Sequence, residues 1–410
     1  MQPILIYGII IIAGYIAGIG AQKAGLPRVT GYLLVGLILN PQITSVIPEG
    51  FINNTEFVTN ISLAFITLSV GGTLKMSELR KMGKTILLIT VMEAEVAFIM
   101  VSLGFYFLFP YLGIDSSLAI YSLPIGLILG SLACPTDPSA TLAVTHEYKA
   151  KGEVSSTILG VAAFDDIAGI LNYSIFIVLA ATMMTGQSFS FHKAFMEPAY
   201  IIGGSIILGI VMGTVFNLTT RFSKKLNDGV LILMTFGFLM LAFGLAELIK
   251  VDELLATMTM GIAIANFNPK QDRIFKILEG YTEELIFVLF FVISSMHLNF
   301  SVVSNSYWLI IIFIILRAMG KFIGTFSGAI MVKADRKVRH FTAGGLLPQG
   351  GIVIGLALMI KQNDSFSQIA DMIISIVIGA TIVHEIIGPV MAKFFLVKAG
   401  EIKKEAESNT

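Results

Sequence analysis

Asp137, Asp165, Asp166, Glu93, Glu95 and Glu385 lie deep inside long apolar blocks, and two bases, Arg317 and Lys321, join them. A charged side chain at the centre of a bilayer costs about 2.5–3.5 kcal/mol on insertion scales, so such residues mark ion pathways, proton relays or counter-ion pairs. Asp165-Asp166 is the sharpest pattern. Successive residues of a helix point about 100° apart, so the two carboxylates can address two different neighbours. In a low dielectric both do not ionise cheaply, and their protonations are coupled. Their oxygens are hard ligands of the kind a small alkali cation prefers. The pair therefore suits a site that takes either protons or a hard cation. The plainer reading is a salt bridge that only holds helices together.

Lys321 and Arg317 share one helix face at i,i+4. A buried lysine titrates and an arginine does not, so Lys321 fits a switchable counter-ion to a carboxylate and Arg317 a permanent electrostatic role. Snorkelling of Lys321 toward the interface is the alternative. Pro135-Thr136-Asp137-Pro138 and Pro348-Gln349-Gly350-Gly351 interrupt two apolar segments. A proline there removes a backbone donor and opens the helix. The freed carbonyls and the Thr136 hydroxyl can then coordinate a cation, while Asp137 can offset the positive ends of half-helices. Gln349, a neutral donor and acceptor, occupies the second break. Glu93 and Glu95 point to opposite sides of one helix, so at most one of them faces a polar path. His384-Glu385 lacks the second histidine of a zinc motif, Gly388 standing in its place, so Glu385 is expected to pair with a neighbouring helix. His297 and His146 read as interfacial.

The elements that hold these groups must be membrane helices. The chain of 410 residues is 55% hydrophobic and only 13% charged, against about 25% charged in soluble domains. Apolar blocks fall near 3–20, 28–45, 58–74, 85–109, 118–144, 154–182, 199–217, 229–246, 252–267, 281–297, 306–332, 340–360 and 367–392, which makes about 13 spans. With that count, Lys193, Lys250 and Lys361 fall on one side of the membrane and Arg317 and Lys321 within a span. All the rest of the 27 Lys and Arg fall on the other side. Positive-inside sorting then places the N-terminus outside and the C-terminus inside. The first segment lacks a basic flank and a cleavage site, and reads as a retained span. A formal net charge of zero gives no case for nucleic acid, and the single Cys134 excludes an internal disulfide or a CxxC metal site.

An inverted repeat is expected, the first near 1–182 and the second near 229–392. Span n and span n+7 then have opposite orientations. Leu39-Asn40-Pro41 matches Phe267-Asn268-Pro269, and the two Pro/Gly interruptions fall in corresponding spans. Residues 1–396 read as one transmembrane unit and 397–410 as a short cytoplasmic tail, with no nucleotide-binding fingerprint.

Several stretches in this order resemble the monovalent cation:proton antiporter superfamily. They are Leu26-Pro27-Arg28-Val29-Thr30-Gly31-Tyr32 with Gly36, Thr136-Asp137-Pro138-Ser139-Ala140, Phe164-Asp165-Asp166-Ile167-Ala168-Gly169, Arg317-Ala318-Met319-Gly320-Lys321, Pro348-Gln349-Gly350-Gly351 and Glu385-Ile386-Ile387-Gly388-Pro389. The resemblance implies an all-α fold of the sodium/proton antiporter type, with interleaved dimerisation and core subdomains, two crossed unwound helices and a homodimer in the cell membrane. It implies elevator-type alternating access, with Asp166 as the essential ion-binding carboxylate and Asp165 as the partner of Lys321. On it, Asp165 and Asp166 take the transported Na+ or Li+, Thr136 and Asp137 assist, and Arg317, Gln349 and Glu385 serve ion pairing. No cofactor and no nucleotide are implied. The sequence carries the aspartate pair of the electrogenic branch together with the Thr-Asp-Pro break more typical of the electroneutral branch, and Gln349 stands where many relatives carry arginine. That combination leaves the stoichiometry open. The alternatives are a K+/H+ exchanger or an ion-coupled symporter of the same fold. A passive channel is disfavoured by the buried titratable pairs. An intramembrane aspartyl protease is disfavoured because Gly-x-Gly-Asp and Tyr-Asp are absent.

Overall fold

The computed structural model describes residues 2–44, 46–52, 54–111, 116–186, 188–222, 227–297, 307–361 and 363–402. Most of the tail expected at 397–410 lies outside them. The described residues form helices joined by turns. In chain order the principal helices are α1 (Pro3–Lys23), α2 (Arg28–Leu39), α3 (Glu56–Thr73), α4 (Met76–Leu108), α5 (Ser122–Ala133), α6 (Pro138–Glu147), α7 (Glu153–Thr185) and α8 (Glu197–Phe222). They continue with α9 (Asp228–Ile249), α10 (Glu253–Phe267), α11 (Gln271–Tyr281), α12 (Glu283–Met296), α13 (Tyr307–Met331), α14 (Arg336–Phe341), α15 (Gly351–Lys361) and α16 (Ala370–Ala399). Among the described residues, eight helical segments are at least 18 residues long and apolar enough to cross a bilayer, and α2 and α10 are shorter apolar helices. The apolar block near 118–144 is two helices interrupted at the Pro135–Pro138 stretch, and the block near 340–360 is likewise interrupted before Gly351.

The chain divides into two compact units, one of Met1–Gly83 with Ala199–Leu298 and one of Lys84–Pro198 with Asn299–Thr410. In the first, α3 and α10 cross at reciprocal glycines: a Cβ on Gly71 would strike the Met258 carbonyl oxygen, and one on Gly261 the Leu68 carbonyl oxygen. The hydroxyls of Thr67 and Thr257 meet at 2.7 Å in this crossing. The two Asn-Pro stretches that the sequence pairs end their helices alike. Asn40 caps α2 and its Oδ1 accepts from Gln42 N at 2.9 Å; Asn268 caps α10 and its Oδ1 accepts from Lys270 N at 2.9 Å. In each, the following proline forces its predecessor into the extended region and stops the helix.

In the second unit, lipid tails are as apolar as leucine, so helices associate through close packing of small residues rather than through hydrophobic burial. Gly320, Gly324 and Gly328 recur every fourth residue along one face of α13 and lie directly on α4. A Cβ on Gly320 would sit 2.5 Å from Ala97 Cα, and one on Gly324 would sit 2.5 Å from the Met92 carbonyl oxygen and 2.6 Å from Glu93 Cα. This backbone-to-backbone seam brings Lys321, between the first two glycines, against Glu93. Alongside it an apolar core gathers Phe105, Ile128, Leu129, Phe313, Ile373 and Val377 from α4, α5, α13 and α16.

Overpacking such a seam costs about 1–3 kcal/mol. Gly324→Val is therefore expected to lower the melting temperature of the detergent-purified protein, whereas Gly203→Ala, where a Cβ meets nothing within 4 Å, is expected to leave it unchanged. Equal melting of both variants would rule out backbone contact between α4 and α13.

Candidate functional site

The site is built on the two interruptions. In a bilayer the backbone groups released by a broken helix must find partners inside the protein. The first break runs from Cys134, which ends α5, to Asp137, which caps α6: Asp137 Oδ1 accepts from Ser139 N at 2.8 Å. Pro138 at the first helical position has no N–H to satisfy. The second break runs through Leu346–Gly350. The two breaks supply each other. Asp137 N donates to the Pro348 carbonyl at 3.1 Å, Thr136 Oγ1 to the Leu346 carbonyl at 3.3 Å, and Thr141 Oγ1 to the Gly345 carbonyl at 2.8 Å. In the reverse direction Gln349 Nε2 donates to the Leu132 carbonyl at 2.8 Å. Gly350 is required here, because a Cβ on it would run into Asp137 Oδ2. The Asp137 carboxylate thus sits at the start of α6 and beside the residue that precedes α15. Negative charge is favoured at helix N-termini.

Arg317 joins the breaks from the side. Its guanidinium is fully buried and donates through Nε to the Ala133 carbonyl at 3.0 Å, through Nη2 to the Pro135 carbonyl at 2.9 Å, and through Nη1 to the Leu347 carbonyl at 2.7 Å. A planar fork with five donors can do this; a lysine cannot. The positive charge also lies where the C-terminal carbonyls of α5 concentrate negative potential.

One turn further along α13, Lys321 is equally buried. Its Nζ donates to the Cys134 carbonyl and to Thr136 Oγ1 at 2.8 Å, lies 3.4 Å from Asp165 Oδ2, and forms an ion pair with Glu93 Oε1. The contact with Asp165 is the one expected from the sequence. With the Glu93 ion pair, Lys321 is shared by two carboxylates from different helices. Glu95, on the other side of α4, instead accepts from Asn172 Nδ2 at 3.1 Å, so the two glutamates do face different ways. Glu93 Oε2 and Asp165 Oδ1 are buried without a hydrogen-bond partner among the described residues. Asp166 follows Asp165 on α7 and is half-buried.

Gln349 accepts through Oε1 from His384 Nδ1 at 3.0 Å. Because the Gln349 amide nitrogen already donates to Leu132, the imidazole must carry its proton on Nδ1. His384 was not among the expected site residues, since no local pattern joins it to Gln349. Glu385, its neighbour on α16, is buried. Among the described residues no group of three or more His, Cys, Asp or Glu is arranged to hold a resident metal ion. The oxygens around Lys321 and the aspartates suit a hard, transient cation.

Leaving the carbonyls of both breaks without donors costs about 1–3 kcal/mol for each buried group. Arg317→Gln is expected to lose about 3 kcal/mol or more of stability, and Arg317→Lys to recover only part of it, both read as melting of the purified protein. Wild-type melting of Arg317→Gln would mean that the guanidinium does not tie the breaks.

Residues 8–398 match the family described as "Sodium/hydrogen exchanger, transmembrane". The chain is 24% identical over 381 residues to the Na(+)/H(+)-K(+) antiporter GerN of Bacillus cereus, covering 89% of this chain and 91% of that one. It is 24% identical over 217 residues to Na(+)/H(+) antiporter 1 of Methanocaldococcus jannaschii, covering 53% of this chain and 47% of that one. Its fold is that of the sodium proton antiporter MjNhaP1 of Methanocaldococcus jannaschii, with a TM-score of 0.73 at 20% identity, over 97% of this chain and 98% of that one.

Proposed function

The chain belongs to the sodium/hydrogen exchanger transmembrane family, and from that premise we propose that it exchanges Na+ or Li+ for H+ at the Asp165-Asp166 pair. The observation that carries this reading is the buried lysine, Lys321, held between Asp165 and Glu93 beside two broken helices. Such a cluster has no structural need of a second acid. It provides carboxylate oxygens, a neighbouring hydroxyl on Thr136 and released carbonyls, and a cation or a proton can satisfy the same oxygens.

Outward-facing, the pair takes up protons, which neutralise the site so that it crosses the apolar barrier at low cost. Inward-facing, a cytoplasmic cation binds Asp166, assisted by Thr136 and the carbonyls of the first break, and displaces the protons. Competition for one set of oxygens is the coupling. The unit of Lys84–Pro198 with Asn299–Thr410, which holds all of these groups, is the body that moves in an elevator-type cycle. The protein works as a homodimer in the cell membrane, with its N-terminus outside and its C-terminus inside. Potassium is the second reading for the cargo, favoured by the similarity to an antiporter named for Na+/H+ and K+.

In liposomes with an internal pH dye, Na+ or Li+ is expected to drive proton movement, with an apparent affinity that falls as pH falls and an unchanged maximal rate. Asp166→Asn is expected to reduce this flux to the level of empty liposomes. A response to K+ alone would move the cargo to potassium. Near wild-type exchange by Asp166→Asn would remove the aspartate pair from the mechanism.

A further inference from the structure

We infer that His384 is a positioning residue for cation exchange: its Nδ1–H holds the Gln349 amide across the two breaks, so that the first break keeps the shape in which it receives the cation. This rests on the exchange reading above and deepens it. The carbonyls that lead from the end of α5 into the first break are met by side chains one after another. Leu132 accepts from Gln349, Ala133 and Pro135 from Arg317, and Cys134 from Lys321. Thr136, which assists the cargo on that reading, follows directly. Arg317 and Lys321 present only donors, so any orientation they take can serve a carbonyl. Gln349 carries an acceptor as well as a donor. Its Nε2 can stay on the Leu132 carbonyl only while its Oε1 is also satisfied.

His384 meets that need. It is buried on α16 and donates through Nδ1 to Gln349 Oε1 at 3.0 Å. Without this donor, Oε1 would be a buried acceptor left unpaired, which is costly. The amide would turn toward other donors and release Leu132. The imidazole is delivered by the packing of its own helix. Gly388, one turn further along the same face of α16, lies against the second break: a Cβ on it would be 2.7 Å from Pro348 Cγ and 3.1 Å from Pro348 Cα. That close approach at Pro348 brings position 384 to the adjoining Gln349. Nδ1 is the anchoring atom. Nε2 is buried without a hydrogen-bond partner among the described residues, so no second contact of the ring accounts for its place.

The test is the dependence of proton flux on Na+ concentration in liposomes. His384→Phe keeps a ring and loses the donor. It is expected to raise the half-saturating Na+ concentration about tenfold, with a maximal flux per folded protein within about twofold of wild type. A loss of folded protein alone would do the reverse, lowering maximal flux at unchanged half-saturation. His384→Asn is expected to restore the affinity, because its amide nitrogen lies two bonds from Cβ, as Nδ1 does. His384→Gln, with its nitrogen three bonds out, is expected not to. In a Gln349→Met background, His384→Phe is expected to shift half-saturation no further, since the two residues act as one unit.

Wild-type half-saturation in His384→Phe would overturn the inference. So would equal affinities of the Asn and Gln variants, a comparison that decides even if the Phe variant does not fold, or full additivity with Gln349→Met. A wild type showing no cation-driven proton flux would instead remove the exchange reading itself.

Discussion

The structure depends on one constraint: two helices are broken within apolar segments, so the carbonyls and amides they release must be satisfied by protein. The breaks meet this need by facing each other, with Asp137 N on Pro348, Thr136 on Leu346 and Gln349 on Leu132. Arg317 completes the arrangement, because it reaches carbonyls of both breaks. A bound water would be mobile and displaceable. A guanidinium anchored on a straight helix fixes the breaks and brings a charge that does not titrate.

Lys321 follows from that geometry. Placed one turn from Arg317 on the same face, it must come to the same breaks, where the Cys134 carbonyl and Thr136 hydroxyl receive it. The two cations therefore divide the work. The arginine holds the backbone, and the lysine meets the acids. The glycine seam along α13 matters because a larger residue at 320 or 324 would push α4 away and take Glu93 out of reach of Nζ.

Much of this was legible in the sequence because it consists of residues in the wrong place. Asp165-Asp166, Arg317 and Lys321 contradict the apolar blocks around them, and prolines inside a membrane helix declare a break. The distinction between Glu93 and Glu95 was not legible from α4 itself. A helix shows which residues lie on opposite faces, but the partner decides which face is the useful one. The four-residue glycine spacing of α13 was the signal for that face, since it marks where another backbone must approach. The carbonyls that bind Arg317 and Lys321 left no trace, because a backbone oxygen has no residue identity. The Gln349–His384 contact joins residues 35 apart on separate helices, and neither residue type demands the other.

Gln349 shows how the local departures fit together. It stands in a break already crossed by Arg317, and it uses its amide fully: Nε2 on the Leu132 carbonyl and Oε1 on His384 Nδ1. A neutral residue suffices because Asp137 across the break needs no cationic partner. Its carboxylate accepts from the Ser139 amide and sits at the positive start of α6. A cation at position 349 would add to Arg317 and Lys321 and leave three positive groups to be balanced by the acids beyond. With glutamine there, the negative ends of the half-helices are met by Arg317 and the positive end of α6 by Asp137.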